Sequence, residues 1–202
     1  MKRFNDFINE SVRDLMKGKS DDEIKEISKI LSPHKKMLYA INNDILWLAE
    51  EAIKDGSLIE YLSSYMERTI VFDNIDILKI LVNNGVEINS NHLYTAVFNN
   101  NIEMVKYLVE NGRDLDLNDE HSYEHIFMNL IDNNNIEMVK IILDSKCGVY
   151  IEDKWLDKFI ENPYERIEIF NMLLKSFPEI KERIKILYHK HKKIINQLNK
   201  YI

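Results

Sequence analysis

The octapeptide NNNIEMVK stands at residues 99–106 and again, unchanged, at 133–140. Eight consecutive identities, 34 residues apart, are not expected by chance in a chain of 202 residues. A repeat architecture is therefore the first hypothesis to test. Each copy leads into an apolar stretch, Ile102-Glu-Met-Val-Lys-Tyr-Leu-Val109 and Ile136-Glu-Met-Val-Lys-Ile-Ile-Leu143. Residues 102, 105, 108 and 109 share one face at helical spacing. The first stretch ends in Glu110-Asn111-Gly112, where a glycine suits the left-handed residue that closes a helix.

Weaker copies flank these two. Upstream stand Leu46-Trp-Leu-Ala-Glu-Glu-Ala-Ile-Lys-Asp-Gly56 and Ile75-Asp-Ile-Leu-Lys-Ile-Leu-Val-Asn-Asn-Gly85. Downstream is Ile167-Glu-Ile-Phe-Asn-Met-Leu-Leu174. The units start at 46, 75, 102, 136 and 167, with spacings of 29, 27, 34 and 31. Between them lie shorter helical runs, His34–Ile41, Leu58–Arg68, Asn91–Phe98, Tyr123–Ile131 and Lys154–Glu161. Ser32-Pro33 and Asn162-Pro163 pair an N-cap residue with proline at the first helical position. Ser90 or Asn91, Ser122 and Asp153 are further cap candidates, and Ser20-Asp-Asp-Glu23 has capping-box spacing ahead of Ile24–Leu31. The chain thus reads as about five helix–turn–helix units.

Two repeat classes have a period near 34. The Trp, Gly and Tyr of a tetratricopeptide first helix are missing. Glu103-Met-Val-Lys-Tyr-Leu-Val-Glu-Asn-Gly112-Arg-Asp114, with Leu93 and Ala96 in the preceding run, resembles the ankyrin-repeat family over roughly residues 34–175. The resemblance implies an all-α, ankyrin-repeat-like solenoid with helical N- and C-terminal caps. Its expected divisions are 1–31 for leader and capping helices, 32–178 for the array and 179–202 for a basic C-terminal helix. The family's T-P-L-H turn is replaced by Asn91-His-Leu-Tyr94, and only Arg113–His121 has room for a full finger, so stunted fingers are expected.

The net charge is −7, yet from Lys181 onward seven Lys or Arg stand against one Glu, a net +6, so the first 180 residues carry −13. An acidic body repels nucleic acid phosphate, which leaves only the basic helix, with Lys190, Lys192 and Lys193, as a nucleic-acid arm. Its other reading is a cap, with Ile184, Leu187, Tyr188, Ile194 and Ile195 on the apolar side. A single cysteine, Cys147, excludes an intrachain disulfide. No apolar run approaches the length of a membrane span, and a cytoplasmic protein is expected. The opening Met-Lys-x-Phe-x-x-Phe-Ile-x-Glu resembles leaders of proteins from large tailed phages, and Ile8-Asn9-Glu10 fits the cleavage site of their prohead protease. That likeness implies a phage source, with the host cytoplasm or the virion as location.

Catalytic and metal chemistry is not indicated. His121 and His125 lack a third ligand. Asp114-Leu-Asp-Leu-Asn118 lacks the glycine and glutamate of a calcium loop. No phosphate loop or nucleophile elbow occurs. No cofactor is expected. What the family resemblance implies instead is partner binding through the fingers and first helices. Mapped here, that surface comprises Asn91, His92, Tyr94 and Thr95; Arg113, Asp114, Asp116, Asn118, Asp119 and Glu120; and Tyr123, Glu124 and Met128. Because Arg113–Glu120 is acidic, the partner should carry a basic patch. The expected function is a non-enzymatic protein-binding module acting on a host protein such as a defence component or regulator. The alternatives are sequestration of a nucleotide-type ligand and a packaged structural protein of the virion.

Overall fold

Asp44, Asp73, Asn100 and Asn134 all have φ between 52° and 59°, in the left-handed region that Asn and Asp tolerate better than other residues with a Cβ. Each lies two residues before a unit start found in the sequence. In each case the next amide turns back to the carbonyl five residues earlier: Ile45 to Ala40 (2.9 Å), Asn74 to Thr69 (2.9 Å), Asn101 to Ala96 (3.0 Å) and Asn135 to Leu130 (2.8 Å). This is the hydrogen bond of a Schellman motif. One turn geometry therefore closes four first helices and launches four second helices.

The computed structural model describes residues 16–54, 56–117, 126–145, 147–149, 151, 153, 156–157 and 167–198. They divide into two compact units, the first ending at Ile88 and the second starting at Asn89. In the first, α1 (Asp21–Ser28) is followed by two helix pairs, α2 (Pro33–Asn43) with α3 (Leu46–Ile53) and α4 (Leu62–Val71) with α5 (Ile75–Asn83). In the second, α6 (Ser90–Phe98) pairs with α7 (Ile102–Asn111) and α8 (Ile126–Asp132) with α9 (Ile136–Asp144), followed by α10 (Ile167–Ser176) and α11 (Ile180–Leu198). First helices stack on first helices, α2 on α4 and α6 on α8. Second helices stack likewise, α3 on α5 and α7 on α9, with α10 packed on α9. The chain is an all-helical repeat protein over the described residues, as the spacing predicts.

The same positions supply the core in every pair. The third, fourth and seventh residues of the second helices are buried: Leu48, Ala49 and Ala52; Ile77, Leu78 and Leu81; Met104, Val105 and Leu108; Met138, Val139 and Ile142. Counting seven, four and three residues back from each left-handed turn gives the first-helix core: Met37, Ala40 and Ile41; Met66, Thr69 and Ile70; Leu93, Ala96 and Val97; Phe127, Leu130 and Ile131. Each helix has too narrow an apolar stripe to fold alone, and stacking repeats of one register buries all of them together.

The ends of the helices are closed by asparagine more than by glycine. Asn43, Asn84, Asn99 and Asn111 each donate a carboxamide N–H to the carbonyl four residues earlier (2.8–2.9 Å), and the Ile80 and Thr95 carbonyls take the Asn84 and Asn99 backbone amides as well (3.0 Å). Gly85 (φ 92°) is left-handed as expected. Gly112 is not: its φ is −82°, and the left-handed residue is Asp114 (φ 50°). The chain leaves α7 in an extended conformation and turns two residues later. The cap of α6 is Asn89, not Ser90 or Asn91. Ser20 and Ser32 cap α1 and α2 as predicted.

Asn101 and Asn135 cap the second helices α7 and α9 by accepting the amides of Met104 (3.0 Å) and Met138 (3.2 Å). Asn74 holds the same position ahead of α5 but makes no such bond, and its Oδ1 is buried without a partner among the described residues. Losing a working cap costs about 1 kcal/mol, whereas removing an unpaired buried acceptor relieves a penalty. Asn101→Ala should therefore lower unfolding stability by about 1 kcal/mol, and Asn74→Ala should leave it unchanged or raise it. Urea titrations of both variants check this, and equal losses would refute the distinction.

α11 behaves as a cap. Its Ile180 and Leu187 are buried and Ile184 half-buried, while Arg183 holds Asp153 Oδ1 (2.6 Å from Nη2, 2.8 Å from Nε) and the Ile151 carbonyl (2.5 Å). Tyr188, expected on the apolar side, is exposed instead, so the buried stripe is narrower than the sequence suggests. The leader, residues 1–15, lies outside the described residues.

Candidate functional site

The two octapeptides touch each other. Asn135 of the second copy donates its Nδ2 to Asn100 Oδ1 of the first (2.7 Å), and Lys106 of the first reaches Glu137 of the second (3.3 Å). Exposed pairs of this kind contribute about 0–1 kcal/mol, so the register of α7 against α9 rests mainly on their buried core positions. The identity of the two copies thus extends to surface residues that meet across the repeat.

Beyond α7 the chain forms a short finger. Leu115 and Leu117 turn inward and are buried, while Arg113, Asp114 and Asp116 are exposed. The finger is fixed at two points. The Leu117 amide donates to the Gly148 carbonyl (3.0 Å) and the Gly148 amide to Leu115 (2.8 Å), forming a single parallel β-bridge. The Asp116 amide donates to Ser90 Oγ at the start of α6 (2.9 Å). A Cβ on Gly148 would lie 3.0 Å from the Asp116 carboxyl, so a larger residue there would push the exposed Asp116 side chain aside.

Between the C-terminal halves of α7 and α9 runs a groove lined by Lys106, Val109, Glu110, Arg113, Asp114, Ile141 and Asp144. Val109 and Ile141 are half-buried and form its apolar lining; Glu110, Asp114 and Asp144 are exposed. Three carboxylates face two cations, one of which already serves Glu137. Both helices also end here, at Gly112 and Ser145, and helix C-termini carry partial negative charge. The groove can therefore receive a cationic side chain.

The predicted site residues fare differently. Asn91 is exposed on the first turn of α6. His92 is not a surface residue: it is 3 % exposed and completes a capping box, its amide donating to Asn89 Oδ1 (3.1 Å) while its Nδ1 accepts the Asn89 amide (3.2 Å). It fills the role that Glu or Gln plays in most such boxes. Tyr94 is half-buried and stacks on Phe98, with ring centroids 6.1 Å apart. Thr95 is half-buried, its hydroxyl donating to the Asn91 carbonyl (2.9 Å). Met128 is buried rather than exposed, packed into the core beside Phe127 on α8. Arg113 and Asp114 come together in the groove. Asn118, Asp119, Glu120, Tyr123 and Glu124 lie outside the described residues, as do the side chains of Lys190 and Lys193. Lys192 is exposed on α11.

Glu110 and Asp144 were missed by the sequence reading. Each is the ninth residue of its second helix, so the repeat register could have paired them. Cys147 is half-buried, and burial pushes its thiol pKa up, with the Ser145 hydrogen bond opposing and Asp116 adding to the rise. That is the wrong direction for a nucleophile, which needs the thiolate. No group of three His, Cys, Asp or Glu among the described residues is arranged to hold a metal. No helix among them is long and apolar enough to cross a membrane.

No curated protein and no solved structure matches the chain. Residues 66–154 match the family model for ankyrin repeats, in three copies. The left-handed turns at Asp73, Asn100 and Asn134 and the finger bridge all fall within the residues that match the ankyrin-repeat model.

Proposed function

We propose that the chain is a non-enzymatic protein-binding module whose partner inserts a lysine or arginine into the groove between α7 and α9. Ankyrin repeats indicate protein interaction. The observation that carries the finer reading is the convergence of Glu110, Asp114 and Asp144 at two helix C-termini over an apolar lining. A basic patch on the partner would complement it and speed encounter. The phage-like leader supports a host-cell protein as that partner, for example a defence component or a regulator.

Affinity capture from host lysate on the tagged full chain, with mass spectrometry of the retained proteins, tests the reading. A single stoichiometric protein is expected, released as salt is raised past the point where screening reaches about 8–10 Å. Capture that resists high salt, or none from either infected or uninfected cells, would count against it.

A further inference from the structure

At the other end of the first helices lies a second groove, which shares no residue with the acidic one. It is lined by Phe98 of α6, Asn129 of α8, and Asn100, Asn133 and Asn135 of the turns, with Val97 and Leu130 at its base. Phe98 is 71 % exposed and braced by its stack on Tyr94. Among the described residues no charged side chain lines this groove.

The carboxamides there are of two kinds. Asn135 is committed to the Met138 amide and to Asn100 Oδ1. Asn129 and Asn133 are exposed and their side chains make no hydrogen bond among the described residues. The Asn133 amide donates to the Asn129 carbonyl (2.9 Å), so the two residues are one helical turn apart and share a face. Four residues of helix advance about 6 Å. An extended chain repeats every two residues, about 6.6–6.8 Å. Each free carboxamide has a donor and an acceptor, the same pair that a peptide unit offers.

We infer that this groove binds an extended, locally uncharged segment of a partner protein. Asn129 and Asn133 engage alternate peptide units along one edge of the segment, and an apolar or aromatic side chain rests on Phe98. A phosphate-bearing ligand is disfavoured because no cation lines the groove. A metal is disfavoured because the lining has neither carboxylate nor imidazole.

The test is a displayed library of eight-residue peptides without Asp, Glu, Lys or Arg, selected on the full chain. Affinities of enriched peptides are then measured on Asn129→Ala/Asn133→Ala, on Phe98→Ala and on Glu110→Lys. Losing two hydrogen bonds of about 1 kcal/mol each should weaken binding roughly 10- to 30-fold. Phe98→Ala should weaken it comparably, and Glu110→Lys should leave it unchanged. The altered residues are exposed, so melting curves should superimpose on the parent. In two-dimensional NMR the side-chain amide signals of Asn129 and Asn133 should shift on titration. A library that yields no peptide dependent on both Phe98 and the Asn pair would overturn the inference. So would Phe98-dependent binding of a nucleoside in place of any peptide, which would reassign the groove to base stacking.

Discussion

Met138→Ala is expected to destabilise the second unit by about 2–5 kcal/mol, and Met104→Ala by a comparable amount. Both side chains are fully buried at the third position of a second helix. α9 packs on α7, α8 and α10, so the helix that carries Met138 is held on several sides and has little room to collapse into a cavity. Their sequence neighbours Glu103 and Glu137 are exposed, and alanine there should change stability by less than about 0.5 kcal/mol. For a chain of this size each kcal/mol shifts the melting temperature by roughly 2–4 °C. Thermal melts of the four variants make the comparison. A loss below about 1 kcal/mol at Met138 would mean that the repeated register is not the core.

The second large effect is on binding. Glu110→Lys with Asp144→Lys turns a groove with three carboxylates and two cations into one with four cations and one carboxylate. Affinity for a basic partner should fall 100-fold or more, since removing the counter-charge of a close pair costs about 2–5 kcal/mol. Stability should hold or rise slightly, because a cation at a helix C-terminus opposes the dipole. Opposite signs on the two readouts separate a binding defect from misfolding. Asp114 is better probed as Asp114→Asn, which keeps a residue suited to its left-handed backbone. Asp116 is a poor choice, because its carboxyl sits against Gly148. Titration calorimetry with the captured partner gives the affinities, and unchanged binding of the double variant would remove the acidic groove from the account.

How far the sequence is legible depends on the range of the physics involved. The helix pairs and their spacing could be read because core positions repeat along the chain, and NNNIEMVK states the register twice. The left-handed turns were not read, because Asn100 and Asn134 look like ordinary loop residues beside Gly112, the expected left-handed position. His92 was misplaced because its ring replaces the usual carboxylate or carboxamide of a capping box, a role fixed by side-chain geometry rather than residue class. Met128 was assigned to the surface because it stands 34 residues after Tyr94, a half-buried position of α6, and not after a core position. Both grooves depend on residues from neighbouring repeats, such as Glu110 with Asp144 and Phe98 with Asn129. Those pairs become visible only when the repeats are stacked.

Native-state hydrogen exchange at the amides of Asn101 and Asn135 tests most directly that the repeated octapeptide closes the same turn in two stacked repeats. These residues lie between helices, where an unpaired amide would exchange quickly. Each amide here is held by the carbonyl five residues earlier. Both should be protected to the same extent as the core amides of α7 and α9 and should exchange with them as one cooperative unit. Exchange near the unstructured rate at either position, while the flanking helices stay protected, would contradict the shared turn and the stacking built on it.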